Sequence, residues 1–144
     1  MTGCIIGSFR KYYQDIVSII ELFEQSGIRI LSPKISHIIN PDEEFVVLAS
    51  DDAKLTKEQI QAKVFENERK ADFVYVWDPD GYIGRTTCYE IGRIVERGDK
   101  PIYYKERPKD IPIGIKEEFI LSVDQVIAKV VSKDNGRRRK LIRC

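Results

Sequence analysis

The chain has 144 residues, enough for one domain with a sizeable core. It is 42% apolar and 33% charged, and its formal net charge of +1 singles out no charged partner. No apolar run is long enough to span a bilayer, and no secretory leader pattern opens the chain. Three scattered cysteines (Cys4, Cys88, Cys144) and a single histidine, His37, exclude a disulfide framework and argue against a metal site. The expected setting is the cytoplasm.

Thr2–Ile6 reads as a short buried strand with Gly7-Ser8 at its end. Residues 10–26 carry Tyr12, Ile16, Ile19, Ile20 and Phe23 at helical spacing, and Gly27 suits the helix end. Ile28–Leu31 is a second strand, stopped at Ser32-Pro33. Residues 33–44 read as loop, with a turn at Asn40-Pro41-Asp42, and Phe45–Ala49 as a short strand or one helical turn. Thr56 and Gln59 have capping-box spacing, which places a helix over about 57–70. Phe73–Trp77 is the third strand, 87–97 the next helix and Pro101–Tyr104 the fourth strand. Two prolines and a glycine make 105–116 a loop; Phe119–Leu121 reads as a fifth short strand. Val123–Val131 forms the last helix, capped by Ser122 or Asp124.

This alternation predicts an α/β domain over residues 1–132: a parallel sheet of about five strands with helices on both faces, in a small flavodoxin-like arrangement. Residues 133–144 read as a basic, mobile C-terminal tail. Residues 132–144 hold six Lys/Arg against one Asp, so the rest of the chain is slightly acidic. A nucleic-acid role through this tail ranks last for that reason, after a solvated terminus.

The most informative stretch is 78–92, where a strand runs into a Gly-rich loop that opens a helix. Ligands of open α/β sheets bind at such turns. Glu90 has two readings. In Thr87-x-x-Glu90 it completes a capping box; turned into the crevice, it is a nucleophile or acid/base. Gly81, Gly84 and Gly92 do not fit GxGxxG and lack a P-loop lysine, so they mark turns or a close approach to ligand. Asp80 and Tyr82 accompany them in the loop. Gly7, Ser8, Phe9 and Arg10 offer a helix N-terminus and a cation for an anion, or simply a Ser8 cap.

These residues resemble the nucleoside 2-deoxyribosyltransferase-like superfamily, which includes deoxynucleoside 5′-monophosphate N-glycosidases. The likeness rests on Gly7-Ser8, on Ala71-Asp72 through Val76, on Asp80-Gly-Tyr-Ile-Gly84, on Tyr89-Glu-Ile-Gly92 and on Lys100-Pro-Ile-Tyr103, spanning most of residues 3–104. It implies cleavage or transfer at the N-glycosidic bond of a 2′-deoxynucleoside or its 5′-monophosphate, without a cofactor, by a homo-oligomer. Glu90 would be the nucleophile that forms a glycosyl–enzyme ester. Asp72, and less directly Asp80, would handle the proton of the base. Gly7, Ser8, Phe9 and Arg10 would line the nucleoside or phosphate pocket, and Gly81, Tyr82 and Gly84 the wall near the sugar. The chain departs from the family in offering Phe9 where transferases place an aromatic hydroxyl, and in the bulky segment Arg85-Thr-Thr-Cys88. A non-catalytic nucleotide-binding relative, acting as a sensor, is the alternative implied by the same likeness.

Overall fold

The computed structural model describes residues 1–34, 48 and 54–143, the last two of these by their backbone alone. The expected turn at Asn40-Pro41-Asp42 and His37 lie outside the described residues. Of Phe45–Ala49 only Leu48 is described, and it is buried.

Four strands, β1 (Thr2–Gly7), β2 (Arg29–Ser32), β3 (Phe73–Trp77) and β4 (Ile102–Tyr104), form a parallel sheet in the order β2-β1-β3-β4. Their apolar residues are buried on both faces, as an interior parallel sheet requires. Ile5, Phe73, Tyr75 and Tyr103 meet the apolar stripes of α1 (Phe9–Gln25) and α4 (Val123–Arg143). Cys4, Ile6, Val74, Val76 and Tyr104 face Ile91 and Ile94 of α3 (Arg85–Arg97). The helix α2 (Lys57–Lys70) packs beside α3, and its Asn67 amide donates to the Leu31 carbonyl at 3.3 Å.

Local signals account for most boundaries. Thr56 and Gln59 form the expected capping box at the start of α2. A Schellman pattern ends α1, with Gly27 N–H donating to Glu24 O and Ile28 N–H to Phe23 O. Ser122, rather than Asp124, caps α4: its hydroxyl accepts from Gln125 N–H while its own N–H reaches Gln125 Oε1 at 2.8 Å.

Four readings need correction. The buried tyrosine of α1 is Tyr13; Tyr12 leaves helical geometry (φ −127°, ψ 20°), and its hydroxyl reaches the Pro79 carbonyl. Among the described residues the sheet has four strands, because Glu117–Phe119 winds into a 3-10 turn and leaves one parallel bridge, Tyr104 to Ile120, in the fifth position. The charged residues of that turn stay exposed, and Glu117 pairs with Arg107. Residues 133–143, expected as a mobile tail, are the last turns of α4. Finally, α3 begins at Arg85, two residues earlier than the expected 87–97 span.

Asp78 follows β3 and is fully buried. Its Oδ1 accepts the Glu106 N–H at 3.0 Å, its carbonyl accepts the Gly81 N–H at 2.8 Å, and Gly81 O accepts the Lys109 N–H at 3.1 Å. This ladder ties the loop after β3 to the loop after β4. Burial, aided by the nearby Glu106 charge, pushes the Asp78 carboxyl up to about 7. The protonated acid therefore suits the fold better than the carboxylate. Stability should fall as pH rises from about 4 towards 7, by at most on the order of 4 kcal/mol from this group. Asp78→Asn, which keeps the acceptor for Glu106, is expected to remove that part of the slope in urea titrations at pH 4.5, 6 and 8.

Candidate functional site

The order β2-β1-β3-β4 changes direction between β1 and β3, and ligands of open parallel sheets bind at that point, beyond the C-terminal strand ends. A cavity of about 370 Å³ lies there, within the size range of small-molecule sites. Gly7 to Arg10 enter it from β1 and α1, Leu31 to Lys34 from the end of β2, and Tyr82 and Gly84 to Thr87 from the start of α3. Ile60, Gln61, Val64 and Asn67 of α2 close one side.

Glu90 lies on the second turn of α3 and is only 6% exposed, yet it lines the cavity. Gly84 is the N-cap of α3 and makes no side-chain cap. Thr87 and Glu90 are therefore inside the helix, and the capping-box reading of this pair does not hold. Behind Glu90, on the last turn of α2, stands Glu68, 3% exposed and hydrogen-bonded to it. Burial raises the Glu90 carboxyl well above the usual range, and the hydrogen bond and charge of Glu68 push the same way, against Arg93. Burial also raises Glu68, against the opposing pull of Glu90, Arg93 and Lys100. Two adjacent buried carboxyls oppose each other's ionisation. The Cys4 thiol records the same environment: burial first, then Glu68, pushes it up to about 12.

The rim has the opposite sign. The helices α1 and α3 both point their N-termini at the cavity; neither has a side-chain cap or an acidic residue in its first turn. Their first backbone N–H groups carry partial positive charge towards the space between them. Arg10, Lys34, Lys63 and Arg85 add four cationic side chains to the lining. Glu90 is the one acidic residue among the described lining. Tyr82 leans on this wall, 6.3 Å from the Tyr12 ring, with the Lys11 ammonium 4.2 Å from its own centroid.

The structure thus gathers Glu90, Gly7, Ser8, Phe9, Arg10, Tyr82 and Gly84 at one cavity. Three other expected residues lie elsewhere. Asp80 is exposed at a left-handed backbone position (φ 59°) and does not line the cavity. Gly81 (φ 75°) turns towards the loop after β4, where a Cβ would come within 2.6 Å of the Arg107 carbonyl. Asp72 lies at the N-terminal edge of the sheet, a strand's length (roughly 16 Å) from the cavity end. Its carboxylate accepts the Thr2 N–H at 2.9 Å and meets Arg137 at 3.3 Å. Glu68 was missed, although it follows Ile60 and Val64 at helical spacing on the core side of α2, where an acid is out of place.

Comparison with models of known protein families gave no match, and neither did comparison with characterised protein sequences. Among solved structures, the chain is similar to a conserved protein from Enterococcus faecalis V583, at a TM-score of 0.50 and 14% sequence identity. The likeness covers 72% of this chain and 62% of that one, so the chain spans less than two thirds of its neighbour's length. At this identity the likeness shows a shared α/β fold alone. No described helix is long and apolar enough to cross a membrane.

The placement of Asp72 makes its role structural. Partial burial works against its ionisation, but the Thr2 hydrogen bonds and Arg137 outweigh it and hold the carboxyl below the usual aspartate range. A depressed carboxyl stabilises the fold when ionised and loses that effect as pH falls through its folded value. Asp72→Ala should therefore cost about 1 kcal/mol at pH 7, and less below the ordinary aspartate range. Urea midpoints read this cost, and ligand-induced stabilisation should remain at its wild-type size.

Proposed function

We propose that this protein cleaves or transfers at the N-glycosidic bond of 2′-deoxynucleosides or their 5′-monophosphates, with Glu90 as the nucleophile. One observation carries the reading: a buried carboxyl faces a nucleoside-sized cavity at the switch point of a parallel sheet. An N-glycosidic bond breaks through an oxocarbenium-like state, and a carboxylate held in a desolvated pocket stabilises the positive charge that develops at the anomeric carbon. Attack by Glu90 then gives a glycosyl ester. A second base accepts the sugar in transfer, and water accepts it in hydrolysis.

The cationic rim supports the 5′-monophosphate over the free nucleoside. Two uncapped helix N-termini and the side chains of Arg10, Lys34, Lys63 and Arg85 face a cavity whose one described acid is buried at its floor. A phosphate at the mouth would meet both partial and full positive charges. Asp72 and Asp80 have no part in this scheme, because neither lines the cavity. Proton supply to the leaving base falls to water.

A second reading, a nucleotide sensor without turnover, draws on a different observation. The described lining carries no second carboxyl to protonate a leaving base, and Glu90 itself is held towards its neutral form. Both readings place a nucleotide in the cavity and differ in turnover.

A panel of 2′-deoxynucleosides and their 5′-monophosphates, assayed by chromatography for free base, separates them. The enzymatic reading expects release or exchange of base, fastest with a monophosphate, and a loss of roughly 10³-fold or more in Glu90→Ala. The sensor reading expects no product but a stabilisation of about 2.7 kcal/mol at a nucleotide concentration a hundred times its Kd. A protein that neither turns over nor is stabilised by any member of the panel would remove both.

A further inference from the structure

The glutamate at position 68 lacks a structural reason. It lies in the interior beside Glu90 and Arg93 of α3, Cys4 of β1 and Lys100 ahead of β4. Its Oε1 is buried and has no hydrogen-bond partner among the described residues. Burying an ionised acid costs several kcal/mol unless it is paired, hydrogen-bonded or neutralised. The Lys100 ammonium donates to the carbonyls of Glu68 and Arg69, the latter at 2.7 Å, and so clamps the end of α2, while its charge only partly offsets the burial of the Glu68 carboxyl. That clamp ties the turn carrying Glu68 to the segment ahead of β4. Glu68 does not line the cavity, so it reaches a ligand only through Glu90.

We infer that Glu68 is the positioning residue for Glu90: from behind the cavity wall it shares one proton with Glu90 and holds one Glu90 oxygen inward, leaving the other to face the ligand. The role in catalysis rests on the glycosidic reading above; the shared proton does not. At rest the pair carries one proton and one negative charge. As Glu90 attacks, the proton lies on Glu68, and a bond forms between the Glu90 oxygen and the anomeric carbon. The bond from that carbon to the base nitrogen breaks, and its electron pair leaves with the base. Water protonates the base, and the hydroxide so formed hydrolyses the ester and restores the pair. Glu68 thus lets a buried carboxyl become a nucleophile without exporting its proton to solvent.

The test compares wild type with Glu68→Gln and Glu68→Leu, each first shown to be folded by its thermal transition. Carboxyl ¹³C NMR of glutamate-labelled protein reads the Glu90 titration, assigned with Glu90→Gln, and base release is followed across pH. In Glu68→Gln the like charge is gone and an amide N–H takes its place, so the Glu90 midpoint should fall by about one pH unit or more. The acid limb of kcat/KM should move down with it, while KM stays within about twofold. Glu68→Leu offers no donor to orient Glu90, and kcat should fall roughly tenfold or more at unchanged KM. A Glu90 midpoint that does not move in Glu68→Gln overturns the proposal, whatever the activity. A wild-type protein silent on the whole substrate panel removes the glycosidic reading instead, and the NMR titration still decides whether the proton is shared.

Discussion

Everything in this molecule is hung on the pairing of β1 with β3. The two strands run in register from Gly3 opposite Phe73 to Gly7 opposite Trp77. Both glycines are there because nothing larger fits: a Cβ on Gly3 would fall 2.3 Å from the Phe73 ring, and one on Gly7 would fall 2.7 Å from the Trp77 carbonyl. This pairing puts the chain reversals after β1 and β3 side by side. The N-termini of α1 and α3 consequently point into the same space, and the cavity follows from that convergence. Asp78, one residue beyond the paired segment, then ties the loop after β3 to the loop after β4 and steadies the wall that carries Tyr82.

The site that results has two layers of opposite electrostatic sense. Its mouth is positive, from helix ends and four cationic side chains, and its floor is acidic. The separation matters because the acids of the floor are buried. A lone ionised carboxyl there would be expensive, and two would be more so. The proposed sharing of one proton between Glu68 and Glu90 would resolve the conflict while keeping a single negative charge near the cavity. The arrangement also explains why the second acid stands behind the first. Facing the cavity, it would offset the positive charge of the rim.

Elements with strong local signals were legible in the sequence. The capping box of Thr56 and Gln59, the continuous apolar run Phe73–Trp77 and the stripe Ile16, Ile19, Ile20 and Phe23 each specify their own geometry, because capping and amphipathic burial act within a few residues. Readings failed where two local rules competed. Thr87 and Glu90 satisfy a cap pattern, yet the helix had already started at Arg85, so the pattern fell inside it. Phe119–Leu121 looked like a strand, but the charged residues before it favoured a tight turn with only Ile120 left to bridge. The basic stretch after Val131 looked like a free tail, whereas a helix can continue past its buried stripe and meet Asp72 through Arg137.

The sequence by itself determined the α/β alternation, the Gly-rich loop after the third strand and the candidacy of Glu90, because each is written in contiguous residues whose spacing has one local meaning. Only the tertiary structure decided which acids keep company. Asp72 is eighteen residues from Glu90 and Glu68 is twenty-two, and nothing in that spacing prefers one over the other. The difference is direction. A strand carries its first residue to the far edge of the sheet, so Asp72 ends beside Thr2 and Arg137. A helix packed against its neighbour turns Glu68 inward, onto the second turn of α3.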